Sequence, residues 1–221
     1  MSAALAVGYH GKVPARGDFV GHGLPRGILD PWDGWLSQGL AEAARQLGGR
    51  WERAAAEAPV WRFALSAGLC GDAPLVGVLM PSLDRVGRFY PFTVAAALRS
   101  PSAGPVALAA LPVTCAGWLA RAESVAAAAC REGADLDALP ARMAILGRPE
   151  VERRALPASV VERLVGPVPE GASLWWTRGD GRCAPTILSC AGMPSAARFV
   201  ALLDGAWASR GWDDLDAIPP D

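Results

Sequence analysis

The sequence predicts an α/β fold in a single domain spanning residues 1–221, and three observations carry that expectation. The 221 residues are 52% hydrophobic and 19% charged, enough apolar material to bury a sizeable core and too little charge for a disordered chain. Two strand patterns stand close together. Trp61, Phe63 and Leu65 alternate with Arg62, Ala64 and Ser66, while Leu75 to Met80 is a nearly continuous apolar run, as in a strand covered on both faces. Before them, Trp32, Leu36, Leu40, Ala43 and Leu47 recur at helical spacing.

Taken in order, Leu5 to Tyr9 is a short apolar strand, and glycine and proline then punctuate a loop from Gly11 to Val20. The first helix is predicted to begin at Asp30, which can cap free amides, with Pro31 at the first helical position and Asp33 near the positive end of the dipole. Gly48-Gly49 stops it. The Trp61 to Leu65 strand shows one face to the core and forms a hairpin with Leu75 to Met80 across the Gly71-Asp72 turn. Tyr90 to Leu98 is a third strand, and Pro101 to Pro105 a loop. Val113 to Arg131 is alanine-rich and reads as one long helix. Short helices follow near Leu136 to Met143 and at Ser159 to Val165. A second hairpin, Ser173 to Thr177 with Ala184 to Cys190, turns at Gly179-Asp-Gly181, and a last helix runs from Pro194 to Asp204.

Composition excludes several function classes. A net charge of −1 gives no global field for nucleic acid or anionic lipid. Cys70, Cys115, Cys130, Cys183 and Cys190 contain no CxxC pair, and His10 and His22 are the only imidazoles, so no structural zinc or histidine-rich metal centre is expected. No apolar run reaches the roughly 18 residues that span a bilayer, and the first residues lack a cationic segment before an apolar one. The chain reads as cytoplasmic, reduced, free of membrane insertion and without a cofactor.

Gly8-Tyr-His-Gly-Lys12 fails as a phosphate loop: only Tyr9 and His10 separate the glycines, and Val13 stands where a magnesium-binding Ser or Thr is needed. It reads as turn glycines beside an exposed lysine. Ser66, Ser82, Cys70 and Ser189 border apolar runs, yet none lies in a GxSxG elbow. Nine tryptophans are many for this length. The adjacent Trp175 and Trp176 must point to opposite faces of a strand, and one of them, or Trp35, is a candidate exposed anchor for another protein. The densest polar set is Ser82, Asp84, Arg85 and Arg88 in one turn between apolar runs, joined by Lys12, Arg16 and Asp18 from the earlier loop. Carboxylates opposite guanidiniums can lock two loops together, present a partner-binding surface, or, less readily, do acid/base work.

These blocks, in order, resemble a known family. They are Gly11-Lys-Val-Pro-Ala-Arg-Gly-Asp-Phe-Val20, Leu24-Pro25 with Trp32-Asp-Gly-Trp-Leu36, Trp61-Arg-Phe-Ala-Leu65, Gly77-Val-Leu-Met-Pro-Ser-Leu-Asp-Arg-Val-Gly-Arg88 and Leu174-Trp-Trp-Thr177. The set is similar to the N-terminal domain type of TagF, a protein associated with type VI secretion. Gly21-His22-Gly23 departs from the family, which often places a basic residue there, as does Leu75, near which an aromatic is common. The chain resembles a stand-alone member without a fused phosphatase domain.

The resemblance implies a three-layer α/β/α sandwich, and the hairpins imply that its sheet is mixed, partly antiparallel. It also implies a cytoplasmic, non-enzymatic accessory protein that represses secretion after translation. Repression in the family acts through a forkhead-associated scaffold protein, in parallel with a threonine-phosphorylation pathway. Lys12, Arg16, Asp18, Ser82, Asp84, Arg85 and Arg88 are then the candidate partner-binding or loop-locking residues. The alternative from the residues alone is a hydrolase acting on phosphate or acyl groups near Asp18 and Asp84.

Overall fold

The computed structural model describes residues 6–98, 108–150, 168, 170–180 and 182–212. Leu5, the Pro101 to Pro105 loop, the Ser159 to Val165 helix and Gly181 lie outside the described residues. Seven strands form one sheet: β1 (Val7–Gly11), β2 (Val20–His22), β3 (Trp61–Leu65), β4 (Leu75–Met80), β5 (Phe92–Ala97), β6 (Ala172–Thr177) and β7 (Thr186–Ala191). Their spatial order is β2-β1-β5-β4-β3-β6-β7. Among the described residues six α-helices accompany them: α1 (Arg26–Leu47), α2 (Trp51–Ala56), α3 (Leu111–Thr114), α4 (Ala116–Ala129), α5 (Leu139–Leu146) and α6 (Ala196–Asp204).

The α/β class holds, but the sheet is not mixed. Every pairing among the described strands is antiparallel. The two expected hairpins are present as β3–β4 and β6–β7. The other long-range pairs, β1–β5 and β3–β6, close over long excursions that contain both helices and other strands of the sheet. An apolar run does not encode the direction in which such an excursion returns, so strand patterning left this open.

Strand alternation sends side chains to two cores. Trp61, Phe63, Leu65, Leu79 and Trp175 share one cluster with Trp32 and Leu36 of α1 and Phe199 and Leu202 of α6. Ala64, Val76, Val78, Val94 and Trp176 share the other with Trp118, Leu119 and Ala122 of α4 and Met143 of α5. Trp175 and Trp176 thus point to opposite faces as expected, but both are buried and neither is an anchor. Trp35 is half-buried among Trp32, Trp175 and Phe199, and its indole N–H donates to the Pro194 carbonyl at 2.8 Å. β3 is buried along its whole length, not on one face only, because Arg62 is covered and paired with Glu123 of α4, Nη2 to Oε2 at 2.6 Å.

Several element boundaries differ from the sequence reading, most by one to three residues, and the largest differences are in the helices. Helix α1 begins at Arg26 after Pro25, one turn before Asp30, and Pro31 lies inside it. Proline there forfeits one intrahelical bond, which is offset by burying Ile28 one turn ahead of Trp32 on the same face. The helix stops at Gly48 as expected, and a 3-10 turn and α2 follow where no helix was read. The predicted single helix at Val113 to Arg131 is broken at Cys115 into α3 and α4. Thr114 Oγ1 donates back to the Ala110 carbonyl at 3.0 Å, a bond that bends helices. Among the described residues no helix is long and apolar enough to cross a membrane.

Candidate functional site

The β4–β5 connection forms a tight turn at the end of the sheet. Asp84 opens it: its carbonyl accepts from the Gly87 amide at 2.9 Å, and its amide donates to the Arg88 carbonyl at 3.0 Å. Gly87 adopts φ +85, which a side chain would resist. An aspartate at the first turn position can also take backbone amides on its own carboxylate. Asp84 Oδ1 accepts from Val86 at 3.0 Å and Arg88 at 2.9 Å.

The other carboxylate oxygen faces the earlier loop. Asp84 Oδ2 accepts from Lys12 Nζ at 3.0 Å and from Arg88 Nε at 2.7 Å. The Asp84 side chain is wholly buried and that of Lys12 is 11% exposed, so Lys12 is not the exposed turn lysine that the sequence suggested. Burial by itself would raise the Asp84 carboxyl. The Arg88 amide, the Lys12 ammonium, the Arg88 guanidinium and the Val86 amide outweigh it and hold the group well below the usual carboxylate range.

Two further bonds tie the loops. The Arg85 amide donates to the Arg16 carbonyl at 2.9 Å, and Arg88 Nη2 donates to the Gly17 carbonyl at 2.6 Å. The contacts that join the two loops run through Lys12, Asp84, Arg88 and backbone. Asp18 takes no part in them: it is exposed and makes no ion pair or hydrogen bond among the described residues. The Arg16 and Arg85 guanidiniums are likewise exposed and unpaired there. All three line an open cleft of about 530 Å³ with Tyr9, Phe19 and Asp137. Ser82 is buried beneath the turn. Its carbonyl accepts from the Tyr90 amide at 3.1 Å, while its Oγ has no hydrogen bond. The nearby Cys130 thiol is raised by burial and drawn back by the Ser82 hydroxyl, so the two groups adjoin without meeting hydrogen-bond geometry.

An aromatic cluster that sequence reasoning missed borders this lock. Phe19 is 48% exposed. It stacks on His10 at 5.3 Å, meets Tyr90 edge-on at 4.7 Å, and lies 5.2 Å from the Lys12 ammonium. The Tyr90 hydroxyl donates to Asp33 Oδ1, which His10 Nε2 approaches at 3.7 Å. Burial lowers the His10 pKa against the opposing pull of Asp33, and burial with Asp33 raises that of Tyr90. No pattern marks a lone Phe in a Gly/Pro loop as exposed; its place after Asp18 in a polar block was the one signal.

Asp84 has every acceptor site engaged, and Tyr90 is driven away from its phenolate. Among the described residues no Ser or Cys is hydrogen-bonded to either histidine. None of the described residues forms a group of three or more potential metal ligands.

Similarity to known proteins adds identity to this geometry. Residues 8–146 match the TagF N-terminal domain, described as type VI secretion system-associated. The fold matches the crystal structure of PA0076 from Pseudomonas aeruginosa PAO1 with a TM-score of 0.77 and 33% identity, covering 90% of this chain and 94% of that one. No curated protein matches the chain. The matched span contains the Lys12–Asp84–Arg88 lock and both loops it joins, and the chain belongs to the TagF N-terminal domain family of type VI secretion system-associated proteins.

Proposed function

We propose that this protein is a cytoplasmic, non-enzymatic repressor of type VI secretion that acts by binding a forkhead-associated scaffold component. The binding surface is the pair of loops carrying Arg16, Asp18, Phe19, Arg85 and Val86. The observation behind this reading is a division of labour. Lys12, Asp84 and Arg88 saturate one another and tie the loops together, while Arg16, Asp18 and Arg85 are exposed around a cleft and unpaired among the described residues, beside Phe19 and Val86 at 48% and 66% exposure. A rigid platform that presents unpaired guanidiniums and an aromatic has the composition of an interface, because fewer groups must be ordered on binding. The helices packed on both faces of the sheet fit a three-layer arrangement. The hydrolase alternative loses support: Asp84 is fully engaged and Asp18 does not approach it as a partner.

Affinity capture with the forkhead-associated scaffold tests the reading. Arg16→Glu and Arg85→Glu should abolish retention without changing the melting temperature. Asp84→Asn should weaken retention only as far as it destabilises the fold. Undiminished retention of the double Arg16→Glu/Arg85→Glu variant removes the cleft from the interface.

A further inference from the structure

The two edges of the sheet are unlike. β2 is three residues long, whereas β7 presents six, Thr186-Ile-Leu-Ser-Cys-Ala191, with no charge, no proline and no lysine among them. Short length, charge and proline are the usual means by which an edge strand is kept from pairing. The direction of the free backbone groups of β7 can be read from one bond. The Gly192 amide donates to the Gly171 carbonyl at 2.8 Å, one step beyond the Ala172–Ala191 pair. Hydrogen-bonded and non-bonded pairs alternate along an antiparallel ladder. Cys190, Leu188 and Thr186 therefore turn their amides and carbonyls towards β6, while Ala191, Ser189 and Ile187 turn theirs out of the sheet. Among the described residues nothing bonds to these outward groups. Leu188 and Cys190 are buried, but Ile187 is 44% exposed.

We infer that β7 is a self-pairing edge that joins two copies of this chain into one continuous antiparallel sheet about a twofold axis at Ser189. In that register Ser189 faces Ser189 of the second copy, and Ile187 faces Ala191 in both directions. Every outward amide and carbonyl of both strands then finds a partner, and a shift along the strand leaves some unpaired. Charge favours a second copy as the occupant. Twofold pairing sets a strand against itself, so any charged residue could meet its like, and β7 has none. The bulky Ile187 also meets the small Ala191. One strand pair buries little area, so the dimer is a weak one.

Sedimentation velocity of the full chain from about 1 to 100 µM, the range suited to a small interface, tests this. Wild type should shift from monomer to dimer as concentration rises. Ile187→Lys should stay monomeric with an unchanged melting temperature, because an edge lysine opposes pairing. Ser189→Pro should do the same, since it removes an outward amide that β6 does not use. If Ser189→Pro fails to fold, Ile187→Lys alone carries the test. Val20→Lys on the opposite edge should leave the dimer intact. A wild-type chain that is monomeric throughout, a dimer that survives Ile187→Lys, or one abolished by Val20→Lys overturns the inference.

Discussion

Replacing Lys12 with methionine isolates the loop lock, because it keeps most of the side-chain volume and removes only the ammonium. Asp84 would remain wholly buried, with two backbone amides and the Arg88 guanidinium still in place. Stripping a buried charge of its sole partner costs about 3–5 kcal/mol. Here one donor of four is lost, so the value for a single hydrogen bond to a charged group applies, about 2 kcal/mol. In a domain of this size that lowers the melting temperature by about 4–8 °C.

The sign with pH follows from the depressed Asp84 carboxyl. Its stabilising contribution is fully present above the unfolded value near 3.8 and is lost as pH falls through and below that value towards the folded one. The gap between wild type and Lys12→Met should therefore be constant from about pH 5 to 8 and close on acidification below about pH 4. Calorimetric melts across that range measure it. A Lys12→Met protein within about 0.5 kcal/mol of wild type at pH 7, the scatter of an ordinary surface substitution, would refute the argument that this pair is a buried structural lock.

Other consequences follow from the same packing. Arg88→Met should cost less than Lys12→Met, about 1 kcal/mol, because its side chain is 60% exposed; urea midpoints of the two single variants and the double variant should be non-additive, since both act on one carboxylate. Gly39→Ala places a methyl 2.4 Å from a Phe199 ring carbon, so overpacking of about 1–3 kcal/mol should outweigh the helix-propensity gain of about 1 kcal/mol, and a Phe199→Leu background should relieve it in the same urea titration. Glu123→Ala strands the covered Arg62 guanidinium, 7% exposed, and should destabilise by about 2–4 kcal/mol, whereas Arg62→Met should be milder. Native thiol alkylation followed by mass spectrometry should modify half-exposed Cys183 before Cys70, whose thiol burial pushes up to about 11.

What was legible in the sequence was what backbone periodicity writes locally. The alternation at Trp61 to Leu65, the apolar run at Leu75 to Met80 and the Gly48 stop became β3, β4 and the end of α1. The opposed faces of Trp175 and Trp176 followed from strand geometry alone. The start of α1 was misplaced because capping rules see only neighbours, and they ranked Asp30-Pro31 above the distant contacts that bury Ile28. The Cys115 break escaped because a side-chain bond to a carbonyl one turn back leaves no mark on alanine-rich periodicity.

The same boundary divides the site. Sequence assembled the polar set and its order along the chain, since Asp84 and Arg88 share one turn and Lys12, Arg16 and Asp18 share one loop. Only the tertiary structure decided which charges meet across 72 positions of chain: Lys12 with Asp84, while Asp18 meets none among the described residues. Pairing between distant groups depends on how strands β1, β4 and β5 are laid side by side, and an antiparallel direction is fixed by long-range packing that no local pattern carries. The sequence by itself therefore determined the family and the inventory of charges, and the fold determined which of them pair across the two loops and which are exposed and unpaired among the described residues.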